Sequence, residues 1–505
     1  MASSEGLATI RSWEADDAMD LPNLVDMPGV ERVGGPGLNR IATVYFDTAT
    51  LTLAARGITL CRRTGGTDHG WHLELPAGGH RTRRIQAPLG SSDIVPEELL
   101  YRVLPFIRGA VLMPVARIDT GRCTRRLYGP GGGHLADFVD DRVQAVAVRP
   151  GTPETAWREW RIELVHGNGD FLGEAASTLT SAGLNRPVQD SELARALGDS
   201  YPSGRVSGAG TPTGNGSALD VVTAYLDRQL GEILALDPGV RMGSPDAIHR
   251  MRSATRRERS VLTAYGSLFA KNETNRLKAE LKWLAKILGR PRDAEVMRER
   301  LRCRLQGLPP ALRNGTVTGP VEDELGTSYN VGYKAVLQAL ETLRYYRLLD
   351  NLEQFLRLPP AKSRASQPAR KATAGLVNKQ AKRLDRAHRA AARAKNGGAG
   401  DAALHQVRKD AKRLQHAAES VQGIHGKRAR KLSKAAHRFQ KILGDHQDSV
   451  VVRAFLDGLT NNPATPEIAL TAYRRVRRAE ERAAHSAKKK YLKARKRSSG
   501  LRLPH

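Results

Sequence analysis

Cysteine is scarce: Cys61, Cys123 and Cys303 are the three in a chain of 505 residues, an odd number without the paired spacing of a zinc or redox motif. A disulfide framework is not expected, and a reducing cytoplasm is the expected setting. Long apolar runs are also missing. No stretch approaches the roughly 18 residues that would cross a bilayer, and the first residues lack a basic start followed by an apolar run. Neither export nor a membrane partner is therefore expected. Aromatic residues make up 5% of the chain. No aromatic RNA-binding signature, helix-turn-helix turn or zinc spacing occurs, which weighs against nucleic acid as the partner.

Positive charge, by contrast, is abundant. The 81 lysines and arginines exceed the 52 acids by 29, far beyond what solubility needs, and this implies a polyanionic partner. The excess belongs to one half. From Ala218 onward lie 59 of the 81 basic and 27 of the 52 acidic residues, about +32, whereas the preceding part is about −3.

Texture changes at the same place. Up to residue 202, short alternating or apolar runs broken by Gly and Pro (Ile41 to Phe46, Trp71 to Leu75, Leu135 to Val139, Trp160 to Val165) predict strands of an antiparallel sheet or barrel. Residues 203–217 are dominated by Gly, Ser, Thr and Pro and read as a flexible linker. From 218 to 358, and again from 374 to 497, segments rich in Ala, Leu, Arg, Lys and Glu carry apolar residues at intervals of three and four, which predicts helices. A polar, proline-containing stretch at 359–373 separates these halves, and 498–505 form a tail. The fold class expected is a multidomain α and β chain, with an N-terminal antiparallel β-barrel and an all-α domain of two duplicated helical bundles.

Duplication is visible in two motifs. His249 is followed by Arg252, Arg256 and Arg257, and His405 by Arg408, Lys412 and Arg413, at the same offsets 156 residues later. Lys286-Ile287-Leu288-Gly289, with Asp293 four residues on, recurs as Lys441-Ile442-Leu443-Gly444 with Asp448, displaced by 155 residues. On a helix, His249, Arg252 and Arg256 project from one face, as do His405, Arg408 and Lys412. Ile248, Met251 and Thr255, and Leu404, Val407, Ala411 and Leu414, form adjoining stripes that can pack inward. Like charges so aligned repel. A chain of phosphates offsets this, because guanidinium groups take phosphate oxygens bidentately and each contact releases counterions. Arg292 and His446, read as lying in loops after the repeated glycines, join the candidate phosphate-binding set, and Asp293 and Asp448 are expected to cap a helix or pair with the cations. No nucleophile, paired carboxylate or metal cluster accompanies the stripes, so no catalytic residue, metal or cofactor is expected.

The paired His-x-x-Arg-x-x-x-(Arg/Lys)-Arg and Ile-Leu-Gly-x-x-x-Asp segments resemble the CHAD domain family over roughly Ala218 to Arg497. That resemblance implies two pseudo-symmetric helical bundles, a basic groove or pore between them, inorganic polyphosphate as ligand, and association with polyphosphate granules. The first 200 residues are similar to the CYTH domain, a triphosphate-tunnel β-barrel, through Val44 to Thr48, Ile58 to Arg63, Trp71 to Pro76, Val115 to Arg117 and Trp157 to Glu159. The family's opening Glu-x-Glu-x-Lys falls on Ala8, Ile10 and Ser12, although Glu14 and Asp16 lie close by. Cys61, Glu74, Arg84, Arg161 and Glu192 depart from the charges that the family implies, while Arg63, Arg117 and Arg122, with Asp137 and Glu163, match it. A noncatalytic polyphosphate-binding protein is thus expected, with the charge reversals repairing the barrel interior. The competing expectations are a basic nucleic-acid-binding protein, favoured by the tail Lys488 to Arg497, and a residual metal-dependent triphosphatase in the barrel.

Overall fold

In the computed structural model the described residues are 10–76, 82–90, 93–148, 153–166, 169–181, 183–184, 191–202, 216–395, 397–496, 500 and 502–504. Ala8, most of the 203–217 linker and half of the 498–505 tail lie outside them. The chain divides into two compact units, Met1–Ser207 and Gly208–His505.

The first unit is one antiparallel sheet of β1 (Ile10–Ala15), β2 (Arg32–Val33), β3 (Gly37–Asp47), β4 (Thr59–Thr64), β5 (Gly70–Pro76), β6 (Thr82–Ala87), β7 (Met113–Tyr128), β8 (His134–Ala147) and β9 (Thr155–Leu164). The strand path is β1-β9-β8-β7-β3-β4-β5-β6, with β2 on β7. Alternation sorts the side chains to two faces. On the outer face Leu60, Trp71 and Leu73 pack on Leu99, Val103 and Ile107 of α1 (Glu97–Ile107). Trp13, Phe138, Trp160 and Ile162 pack on Leu172, Ala175 and Leu179 of α2 (Gly169–Ser181). Each such apolar side chain, taken from water, contributes roughly 1.5–3 kcal/mol. The short helix α3 (Glu192–Leu197) lies on the other face, packing Leu193, Ala196 and Leu197 against Tyr45, Cys61, Ile118 and Val143.

The second unit is helical: α4 (Ala218–Arg241), α5 (Ala247–Ala264), α6 (Lys271–Ile287), α7 (Gly289–Gln306), α8 (Gly315–Leu340), α9 (Leu343–Arg357), α10 (Ala369–Arg393), α11 (Gly398–Glu419), α12 (Gln422–Thr460) and α13 (Glu467–Lys496). Ser217 starts it with a capping box, its Oγ accepting from Asp220 N at 3.2 Å and its N–H donating to the Asp220 carboxylate at 2.9 Å. Helix resumes at Ala369, inside the stretch expected to be linker. Residues before it are pinned to the core, Lys362 N donating to Leu268 O and Ala218 N to Gln367 O. Backbone pairing therefore shortens this connection.

The repeat is visible in three dimensions. The motif helices α5 and α11 pack against each other, with Met251, Ala254 and Thr255 buried on one and Val407, Ala411 and Leu414 on the other. The segment after the second motif differs between copies: Leu288 separates α6 from α7, whereas Leu443 continues within α12. Gly426, at φ +51°, bends α12 near its start, a conformation glycine adopts without steric cost. Where α7, α8, α12 and α13 meet, Leu301, Val321, Leu456 and Tyr473 form a second cluster. Glu480 is fully buried beside it, held by Arg300 at 2.6 Å and Arg304 at 2.7 Å. Burial works to raise its pKa, but the hydrogen bonds from Arg300, Arg304 and Ser449 hold it down at about 2.

Candidate functional site

Because α5 and α11 face each other, their cationic stripes do too. Arg252, Arg256 and Arg259 of α5 and Arg408 and Lys412 of α11 are all half-buried. Among the described residues, neither Arg256 nor Lys412 has an acidic partner at ion-pair distance. The Nε atoms of Arg252, Arg256 and Arg408 are buried without a hydrogen-bond partner among the described residues. Burial first, then Arg252, Arg408 and Arg259, lower Arg256 to about 10. Burial, then Arg256, Arg408, Arg252 and Arg259, push Lys412 down to about 6. A group so shifted marks a place where burial and neighbouring cations disfavour the protonated form. At 1.5 Å per residue, His249 to Arg259 spans about 15 Å of helix.

The flanking motif builds the mouth of this seam. Arg252 Nη1 is 3.0 Å from the Asp293 carboxylate. Asp448 occupies the matching place in the second copy, where Arg408 opposes the upward shift that burial gives its carboxyl. Asp293 thus pairs with a cation, Asp448 feels one electrostatically, and neither caps a helix: Asp293 is inside α7 and Asp448 inside α12. Arg292 and His446 are likewise in α7 and α12, not in loops, because α7 begins at Gly289 itself and α12 runs through Gly444. Arg292 donates to Glu295 at 2.7 Å and lies near His249, whose pKa is lowered by burial and then by Arg292. His446 is buried and stands 3.4 Å from Asp401. His405 shares 3.0 Å with the Gln447 side-chain oxygen and is lowered by burial, Lys409, Arg408 and Arg256.

Not every residue of the motif joins the seam. Arg257 acts electrostatically on Tyr225 and His416, and Arg413 is tied to Asp410 at 2.8 Å. Arg259, by contrast, belongs to the seam and was not foreseen. Its signal is in the sequence, since the spacing from His249 continues as i, i+3, i+7, i+10 along one helical face.

In the first unit, strand register decides which tunnel candidates share a face. Ser12, Glu14, Tyr45, Cys61, Arg63, Glu74, Arg84, Arg122, Asp137, Asp141, Glu159, Arg161 and Glu163 lie on the face that α3 covers. Arg117 does not. It is an odd number of residues from Arg122 on β7, so it projects to the opposite face, where it is exposed and bonded to Asp119 at 3.0 Å. The other arginines are engaged by acids: Arg63 with Asp68, Arg122 bidentately with Asp141 at 2.8 and 2.9 Å, and Arg161 with Asp141 at 2.5 Å. Glu74 and Arg84, two of the reversed charges, stand opposite each other at 2.8 Å. Arg195 of α3 reaches Glu14 at 2.5 Å, and Glu192 accepts from Tyr45 Oη at 3.0 Å. Cys61 is buried, and burial pushes its thiol up to about 12. Among the described residues, no three His, Cys, Asp or Glu side chains converge as metal ligands.

Together these features define a class: an antiparallel-sheet unit followed by a helical unit whose two repeats meet through histidine-led, cationic helices. Residues 224–457 match the CHAD domain model, and the chain belongs to the CHAD-domain family. It is 38% identical over 466 residues to uncharacterized protein MT2285 of Mycobacterium tuberculosis (strain CDC 1551 / Oshkosh), covering 88% of this chain and 87% of the relative. The same figures hold for uncharacterized protein Rv2226 of strain ATCC 25618 / H37Rv. Among solved structures it is similar to PptA from Streptomyces chartreusis, at 20% identity and a TM-score of 0.47 over 57% of this chain and 100% of that one. The CHAD domain from the plant Ricinus communis is similar at 22% identity and a TM-score of 0.46, over 59% of this chain and 96% of that one. The nine-strand antiparallel sheet is consistent with a CYTH-like tunnel. No helix among the described residues is long and apolar enough to cross a membrane.

Proposed function

We propose that this protein binds inorganic polyphosphate along the α5–α11 seam and does not hydrolyse it. The observation that carries the reading is the set of half-buried cations around Arg256 and Lys412, which outnumber Asp293 and Asp448, the acids at the mouth of the seam. A flexible linear polyanion satisfies such a seam along its length, its repeating oxygens meeting guanidinium forks and ammonium point charges in turn. Duplex nucleic acid is too wide to enter between two packed helices and would use exposed cations instead. In this reading, His249 and His405 donate at the mouth of each repeat, and their charge rises as phosphate approaches. The sheet unit, its charged face tied up internally and covered by α3, serves as a structural or positioning module. A cytoplasmic protein recruited to polyphosphate granules accords with this activity.

The test is equilibrium binding of long-chain polyphosphate and of duplex DNA at matched charge concentration across a salt series. Polyphosphate is expected to bind more tightly at every salt concentration. Equal affinities with equal salt slopes would refute the seam as a polyphosphate site.

A further inference from the structure

Beyond Arg259 the seam leads toward a cavity of about 310 Å³ formed by the end of α5, the first turns of α6 and the middle of α10. That volume is at the small end of ligand pockets. Lys271, Lys278, Lys379 and Arg383 line it, and none of its lining residues is acidic. Among the described residues, the three lysines take part in no ion pair. Gln380 also lines the cavity and is 7% exposed, so its carboxamide can donate to an occupant. Continuity with the seam is electrostatic: Arg413 acts on Lys278, and Arg259 acts on both Arg413 and Lys412.

Resting on the polyphosphate reading, we propose that this cavity is an end site: it receives the terminal phosphates of a polyphosphate chain whose body occupies the seam. A terminal phosphate differs from an internal one in chemistry. It carries an additional ionisable oxygen and is bonded to one neighbour only, so three ammonium groups and a carboxamide donor around a half-open cavity match it better than a phosphate that must continue in two directions. Binding is then polar, with one chain end fixed in the cavity and the other leaving along the seam past His249 and His405.

The experiment compares long-chain polyphosphate with free ends against the same chains capped at both ends as phosphoramidates. Titrations use the full-length protein and its Lys278→Ala/Lys379→Ala and Lys379→Glu variants, with thermal melts to confirm that each is folded. The unaltered protein is expected to bind free-ended chains about tenfold more tightly than capped ones, the scale of one charge-assisted contact. Both variants are expected to lose that preference while keeping the affinity for capped chains. Equal binding of free and capped chains by the unaltered protein would overturn the end site and leave the seam reading intact. No binding of either chain would overturn both.

Discussion

The guanidinium of Arg252 rests against Gly289, where an added Cβ would stand 3.3 Å from Nη2. Arg408 lies against Gly444 in the same way, more loosely, with the corresponding distances at 3.7 Å. The two repeated motifs are therefore one device: the second supplies a glycine that makes room for the arginine of the first, and an aspartate four residues on that accompanies it.

This relationship separates two otherwise equivalent substitutions. Gly289→Ala forces Arg252 to shift and is expected to weaken polyphosphate binding severalfold, whereas Gly444→Ala meets only ordinary contact and leaves the affinity unchanged. Neither lowers the melting temperature, since Gly→Ala in a helix gains up to about 1 kcal/mol. Titration calorimetry and thermal melts of both variants check this.

Lys412 makes binding dependent on pH. With its pKa held at about 6, it is mostly neutral in the free protein at pH 7.5, and a bound polyanion draws a proton back onto it. Calorimetry in buffers of different ionisation heat is expected to show an uptake approaching one proton at this pH, and the affinity should fall as pH rises from 6 to 9. Lys412→Arg should reduce the uptake.

The same depressed pKa sets the stability of the free protein. Between pH 6 and the ordinary lysine range the unfolded chain binds the proton that the folded one lacks, so stability rises with pH across that window. Lys412→Met is expected to stabilise the free protein at pH 7, with the gain shrinking toward pH 10, while weakening polyphosphate binding. Chemical denaturation at several pH values measures it.

On the sheet, Glu74→Lys places like charges opposite each other and is expected to cost up to about 1 kcal/mol, the modest scale reflecting the exposure of Arg84. Glu74→Lys/Arg84→Glu should restore the loss. A single variant as stable as the unaltered protein would show that the reversed charges repair nothing.

Tripolyphosphate with Mg²⁺ or Mn²⁺ is expected to release no phosphate. Ile10 stands where a metal-binding carboxylate would be needed, and Arg122 and Arg161 are already engaged by Asp141. Turnover abolished by Arg63→Ala would contradict the noncatalytic reading.

Much of this was legible in the sequence, because periodicity and duplication report on single elements. The stripes led by His249 and His405 needed only helical spacing, and the reversals at Glu74 and Arg84 needed only the pattern that the CYTH resemblance implies. What could not be read depended on register or on contacts between distant segments. The face of Arg117 follows from strand parity on β7, and the placement of Arg292 and His446 follows from glycines that are themselves helical, Gly289 opening α7 and Gly444 inside α12. Lys278 and Arg383 carry no motif. They reach the end of the seam because α6 and α10 pack beside it.

The central claim is that a seam, and not net charge, holds the polyanion. The direct measurement is polyphosphate binding by two variants of equal charge: Arg256→Ala/Lys412→Ala within the seam, and Lys431→Ala/Lys434→Ala on the exposed face of α12. The seam variant is expected to lose at least tenfold in affinity and to show a shallower salt dependence, while the surface variant stays within about twofold of the unaltered protein. Equal losses from the two variants would contradict the seam and leave only a diffuse basic surface.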